Sequence, residues 1–99
     1  MKLIVAVVND QIASGLIEKL TERDFRVTKI SSSGGWLQKG NTTIISGVDD
    51  DEEKIVLQII KEYTQKKTLQ QIEEGSSRKK LEEGMATVFV LPVEKMFHF

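Results

Sequence analysis

Residues 25–48 read FRVTKISSSGGWLQKGNTTIISGV, and the reading of this stretch decides the fold. Two arms rich in β-branched residues, Phe25–Ser31 and Thr42–Val48, have the composition of strands. Between them Ser, Gly and Asn cluster, which marks a loop. The stretch holds the only Trp, Trp36, and four of the seven glycines. On the first arm, strand alternation puts Phe25 and Val27 on one side and Arg26, Thr28 and Ile30 on the other. Arg26 and Thr28 thus share a face, a spacing that suits gripping one ligand and also describes any half-exposed strand. Gly47 inside the second arm predicts a bulge or a close approach to the backbone.

The loop itself carries two readings. Gly34 and Gly35 can adopt positive φ, and their N–H groups, with the Ser31, Ser32 and Ser33 hydroxyls, can form an anion-binding concavity. Trp36 offers a face on which a base can stack. Arg26, Lys29 and Lys39 add positive charge, and Arg suits bidentate phosphate contacts. A small molecule with phosphate and a planar ring would use all of these. The plain alternative is a hairpin connection with a Trp folded onto the sheet edge.

Outward from this centre the chain is nearly symmetric. Upstream, Lys2–Val8 (KLIVAVV) reads as a buried strand, Asp10 as an N-cap, and Gln11–Arg23 as a helix with Ile12, Leu16, Ile17 and Leu20 on one face. Gly15 weakens that helix by about 1 kcal/mol relative to Ala, so its place is where the helix packs closely. Downstream, the acidic run 49–53 reads as a helix start, with Asp50 and Glu53 spaced as a capping box, rather than as a metal site. The second helix is expected to run to about Tyr63, with Ile55, Val56, Ile59, Ile60 and Tyr63 as its buried stripe. Met85–Leu91 (MATVFVL) is the last strand.

The order strand, helix, strand, strand, helix, strand predicts an α+β, ferredoxin-like βαββαβ fold. Right-handed crossovers place two helices on one face of a four-stranded antiparallel sheet. The other face needs cover, and self-association supplies it most simply. The whole chain, 1–99, reads as a single domain. Residues 65–84, with only Leu69, Ile72 and Leu81 as apolar side chains, are expected to form a long charged loop. The apolar tail VEKMFHF surrounds the sole histidine, His98.

Composition excludes several functions. A net charge of −1 gives no global attraction to nucleic acid or to an anionic membrane. With no Cys there is no disulfide, thiolate metal site or Cys nucleophile. One His in an aromatic tail, no paired carboxylates outside the capping run and no phosphate-loop motif point away from an enzyme. No cofactor or metal is expected. The run KLIVAVV is too short to span a bilayer and lacks a cleavage-like site, so the expectation is a cytoplasmic protein.

Three segments, MKLIVAVVNDQ, FRVTKISSSGGWLQKGNTTIISGVDD and GMATVFVLPVEKMFHF, resemble the PII-like signal-transduction proteins that act as cyclic di-AMP receptors in Gram-positive bacteria. The resemblance covers roughly residues 1–60 and 84–99. It implies a PII-like homotrimer of ferredoxin-like subunits with one nucleotide site in each cleft between subunits. It assigns ligand contacts to Arg26, Thr28, Gly35, Trp36, Leu37, Asn41, Gly47 and Phe89. The family has Phe where Trp36 stands, Asn at the place of Asp24, and Gln at that of His98. Ionised Asp cannot donate to an adenine acceptor, and His cannot reproduce an amide pair. The function implied is nucleotide sensing, with an unknown downstream protein as reader. The alternative is a PII-like interaction protein that has lost cyclic di-AMP binding or senses another nucleotide such as ATP.

Overall fold

The computed structural model of the 99-residue chain describes residues 1–30, 40–73 and 86–99. Its elements are β1 (Lys2–Asn9), α1 (Asp10–Glu22), β2 (Thr28–Ile30), β3 (Asn41–Val48), a 3-10 turn (Asp50–Glu52), α2 (Glu53–Glu73) and β4 (Ala86–Pro92). The four strands form one antiparallel sheet in the order β2-β3-β1-β4. This is the ferredoxin-like arrangement expected from the element order. No helix among the described residues is long and apolar enough to cross a membrane.

The core lies between the sheet and the helices. Ile4, Ala6 and Val8 of β1 and Ile44 and Val48 of β3 meet Ile12, Ala13, Leu16 and Leu20 of α1 and Val56 and Ile60 of α2. Strand period 2 and helix period 3.6 supply these faces directly. Both helices therefore cover one face of the sheet. They cross where Gly15 meets Tyr63. A Cβ at Gly15 would fall 1.8 Å from the Tyr63 hydroxyl oxygen, so the helix-weakening glycine is retained for close approach.

Several local expectations are corrected. The cap of α1 is Asn9, whose side chain accepts from the Gln11 N–H at 2.8 Å. Asp10 is already helical. Its N–H donates to the Gly40 carbonyl at 2.8 Å, and its carboxylate accepts from the Thr42 hydroxyl at 2.5 Å. The capping box lies one residue earlier than expected: the Glu52 carboxylate accepts from the Asp49 N–H at 2.9 Å. Ile55 is 42% exposed and leaves the buried stripe to Val56 and Ile60, with Ile59 and Tyr63 packed beside them. Gly47 makes no bulge, because the β1–β3 register runs unbroken through Leu3↔Gly47.

Two elements differ in length from expectation. The helix α2 runs ten residues beyond Tyr63, so residues 65–73 of the charged segment are helical. Gln, Lys and Leu are good helix formers whatever their polarity, and the Thr68 hydroxyl bonds the Thr64 carbonyl at 2.9 Å. The remainder, 74–85, lies outside the described residues. The strand β2 begins only at Thr28. Residues 23–25 instead close α1 by a Schellman turn: the Asp24 N–H donates to the Thr21 carbonyl at 3.0 Å and the Phe25 N–H to the Leu20 carbonyl at 3.1 Å.

Candidate functional site

Several of the expected ligand residues lie on the helix-free face of the sheet. Pairing register places Leu3, Val5 and Val7 of β1, Thr43, Ile45 and Gly47 of β3, Thr28 and Ile30 of β2, and Thr87, Phe89 and Leu91 of β4 on this face. The row Thr28–Ile45–Val5–Phe89 crosses all four strands. Its ends are about 14 Å apart, three strand spacings of about 4.8 Å. The face is apolar in the middle and polar at the β2 side.

At that side three of the expected residues come together. Extending the β2–β3 register by two residues sets Arg26 opposite Gly47. The Ser46 hydroxyl donates to the Arg26 carbonyl at 2.7 Å and holds the backbone there in place of a ladder bond. Arg26 and Thr28 are exposed, as is Gly47, where an added Cβ would meet nothing within 4 Å. An arginine fork, a hydroxyl and a bare stretch of backbone on one ledge can receive a phosphate-bearing ligand.

Asp24 stands just before this ledge at φ +64°. It is the left-handed residue of the Schellman turn, a conformation in which Asn and Asp are several-fold enriched. The sequence comparison of Asp24 with Asn therefore has a backbone reason as well as a donor consequence. The turn also aims Phe25 into the core, packed against the helix side, and so sends Arg26 to the open side.

The other expected residues are not brought to the ledge within one chain. Asn41 lies six residues from Gly47 on β3, about 20 Å along the strand, and pairs with Asn9. Phe89 is on the opposite edge strand and 54% exposed. His98 is exposed in the C-terminal segment, between Phe97 and Phe99, whose rings stack at 6.3 Å. Gly35, Trp36 and Leu37, with the serines and glycines of that loop, lie outside the described residues.

Asp49, Asp51 and Glu52 place carboxylate oxygens within 4.8 Å of one another. Glu52 is already engaged by the cap, and neighbouring Asp50 accepts from the Met1 amino group at 2.9 Å. That hydrogen bond first, and the ammonium charge second, hold the Asp50 carboxyl below its usual range. A cleft of about 640 Å3 between α1 and α2, lined by Gly15, Lys19, Arg23, Tyr63 and Lys67 among others, contains none of the expected ligand residues. Sequence reading missed it, although the Gly15 signal pointed to the helix contact beside it.

The model of the cyclic-di-AMP receptor family matches residues 1–99. The chain belongs to the cyclic-di-AMP receptor family. Among solved structures, a functionally unknown protein from Pediococcus pentosaceus ATCC 25745 is 31% identical, with a TM-score of 0.70 over 99% of this chain and 96% of that one. A DUF3240 family protein from Shewanella baltica OS155 is 10% identical, with a TM-score of 0.63 over 99% and 94% of the two chains. The second likeness is one of fold alone. In this cyclic-di-AMP receptor family member the Arg26–Thr28–Gly47 ledge and Phe89 share the helix-free face and occupy its opposite edges.

Proposed function

We propose that the protein is a non-enzymatic sensor of cyclic di-AMP that binds its ligand in clefts between the subunits of a homotrimer. The family match supports the ligand class. The observation that carries the placement is the split site: Arg26, Thr28 and Gly47 stand at the β2 edge, and Phe89 stands about 14 Å away at the β4 edge. Copies related head to tail bring the β2 edge of one chain to the β4 edge of the next. Arg26 then pairs with phosphate, the Thr28 hydroxyl and Gly47 backbone bound the same pocket, and Phe89 of the adjoining copy supplies an apolar wall. Trp36, Leu37 and Gly35 stack on and hydrogen-bond to the base, Asn41 bonds at the far end of β3, and His98 approaches from the C-terminal segment.

Signalling follows when the ligand shifts the surface formed by segments 31–40 and 65–84 between two states. A ligand shifts such an equilibrium only through different affinity for the two states. An unidentified downstream protein reads the changed surface. Protease cleavage in these segments is expected to differ with and without saturating cyclic di-AMP.

Asp24 and His98 motivate a second reading, a PII-like protein that has lost this ligand or senses another nucleotide such as ATP. Asp24→Asn keeps the left-handed turn and restores an amide donor. Under the first reading it tightens an existing cyclic di-AMP affinity. Under the second it creates one, or leaves ATP as the better ligand.

The split site is tested by mixing. Arg26→Ala and Phe89→Ala each abolish cyclic di-AMP binding alone. Co-assembled, the two variants regain a fraction of intact sites, because an intact β2 edge meets an intact β4 edge. No recovery in mixed assemblies would place the whole site within one chain.

A further inference from the structure

Asp10 carries a carboxylate that its helix does not need as a cap. Asn9 caps α1, accepting from the Gln11 N–H at 2.8 Å. Asp10 is the first helical residue, where an N–H has no partner inside the helix and a negative charge suits the dipole. Both of its free groups turn to the start of β3. The N–H donates to the Gly40 carbonyl at 2.8 Å, and the carboxylate accepts from the Thr42 hydroxyl at 2.5 Å. One residue thus grips the chain at 40 and at 42, on either side of Asn41.

The grip falls where β3 has least support. Asn41 opens the strand and pairs with Asn9, the last residue of β1. Among the described residues no register pair lies beyond this one. Gly40 has φ +94°, a conformation that glycine adopts without steric cost, and an added Cβ would meet nothing within 4 Å. The space around it is open, and the Asp10 N–H is what fixes its carbonyl. Thr42 is 8% exposed and lies on the helix side with Ile44 and Ser46. Alternation then puts Asn41 on the helix-free side with Thr43, Ile45 and Gly47. Tying the Thr42 hydroxyl to the start of α1 therefore fixes the side on which Asn41 emerges.

We infer that Asp10 and Thr42 are positioning residues of the nucleotide site, whose hydrogen bond sets Asn41 on the helix-free face in the orientation that meets a ligand. Both act through Asn41 and not by contact with the ligand. The consequence for binding rests on the proposed function, which counts Asn41 among the contacts. The clamp itself needs no ligand. A hydrogen bond to an ionised carboxylate is stronger than a neutral one. Its loss frees the strand end without opening the core, because Ile44 and Val48 remain packed against the helices.

The decisive variant is Thr42→Val, which keeps the shape of the side chain, favours strand and removes only the hydroxyl. Asp10 is exposed, so water takes over its carboxylate. The expected melting temperature equals or exceeds that of the unaltered chain, while calorimetric titration shows cyclic di-AMP bound about tenfold more weakly. Thr42→Ser keeps the hydroxyl and is expected to bind as the unaltered chain does. Asp10→Ala is expected to lose as much affinity as Thr42→Val. Added to Asn41→Ala, neither change weakens binding further, because both act through Asn41. In the ligand-free chain, NMR relaxation is expected to show the backbone amides of residues 40–42 more mobile in Thr42→Val, with residues 44–48 unchanged. Undiminished affinity in Thr42→Val overturns the positioning role, and so does a further loss on top of Asn41→Ala. If Asp10→Ala unfolds, Thr42→Val decides. An unaltered chain that binds no cyclic di-AMP sinks the nucleotide reading, and the relaxation result then decides the clamp: unchanged mobility at residues 40–42 overturns it too.

Discussion

Neighbouring residues of β1 have opposite fates. Ile4, Ala6 and Val8 face the helices and are 2%, 0% and 0% exposed. Leu3, Val5 and Val7, one residue out of phase, face away and stay half-buried, beside Ile30, Phe89 and Leu91 at 40%, 54% and 47% exposed. Both faces are equally apolar in sequence, yet the described residues close only one. Apolar area left in water forfeits about 25 cal/mol per Å2. Under the proposed function this second face is covered by neighbouring copies, and the polar ledge at its rim meets the ligand there.

The comparison breaks first at the core. Ile4→Ala should cost about 2–5 kcal/mol in denaturant unfolding, at any protein concentration. Ile45→Ala, on the open face, should cost less in dilute solution and more as concentration rises, because its burial depends on assembly. A concentration-independent loss at Ile45 would mean that the face is already closed within one chain.

A smaller effect sharpens how the helix side is sealed. Gly15→Ala sets a Cβ against Tyr63 and should cost about 1–3 kcal/mol, against a helix-propensity gain of up to about 1 kcal/mol. Adding Tyr63→Phe removes the nearest atom and should recover part of the loss. A stabilised Gly15→Ala would show that the helices separate freely.

The smallest effect concerns the ledge. Asp24→Asn should stabilise the fold by about 0.3–1 kcal/mol, seen as a small rise in melting temperature, since a carboxylate sits badly at the negative end of α1. This gain is independent of ligand. A destabilised variant would mean that the Asp24 carboxylate makes a contact of its own.

Much of this organisation is legible in the sequence, and the failures have physical causes. Periodicity located β1, α1 and β3, and Gly15 announced the helix contact. The acidic run misled by one residue because Asp49–Glu52 and Asp50–Glu53 have the same capping spacing. Residues 65–73 resemble a loop in polarity, although their side chains favour helix once α2 is under way. The Schellman turn at Asp24 shortens β2 by using residues that look like strand. For the site, the resemblance named Arg26, Thr28, Gly47 and Phe89. Only the sheet order shows that they divide between opposite edges, since linear sequence does not reveal which strands end up outermost.

The central claim is that this face binds a cyclic dinucleotide between copies. Calorimetric titration of cyclic di-AMP, with ATP and cyclic di-GMP as comparators and mass measured in parallel, tests it most directly. The account predicts saturation at one ligand per chain of a three-chain particle, with binding lost in Arg26→Ala. A three-chain particle that gives no heat with cyclic di-AMP, or prefers ATP, would contradict it.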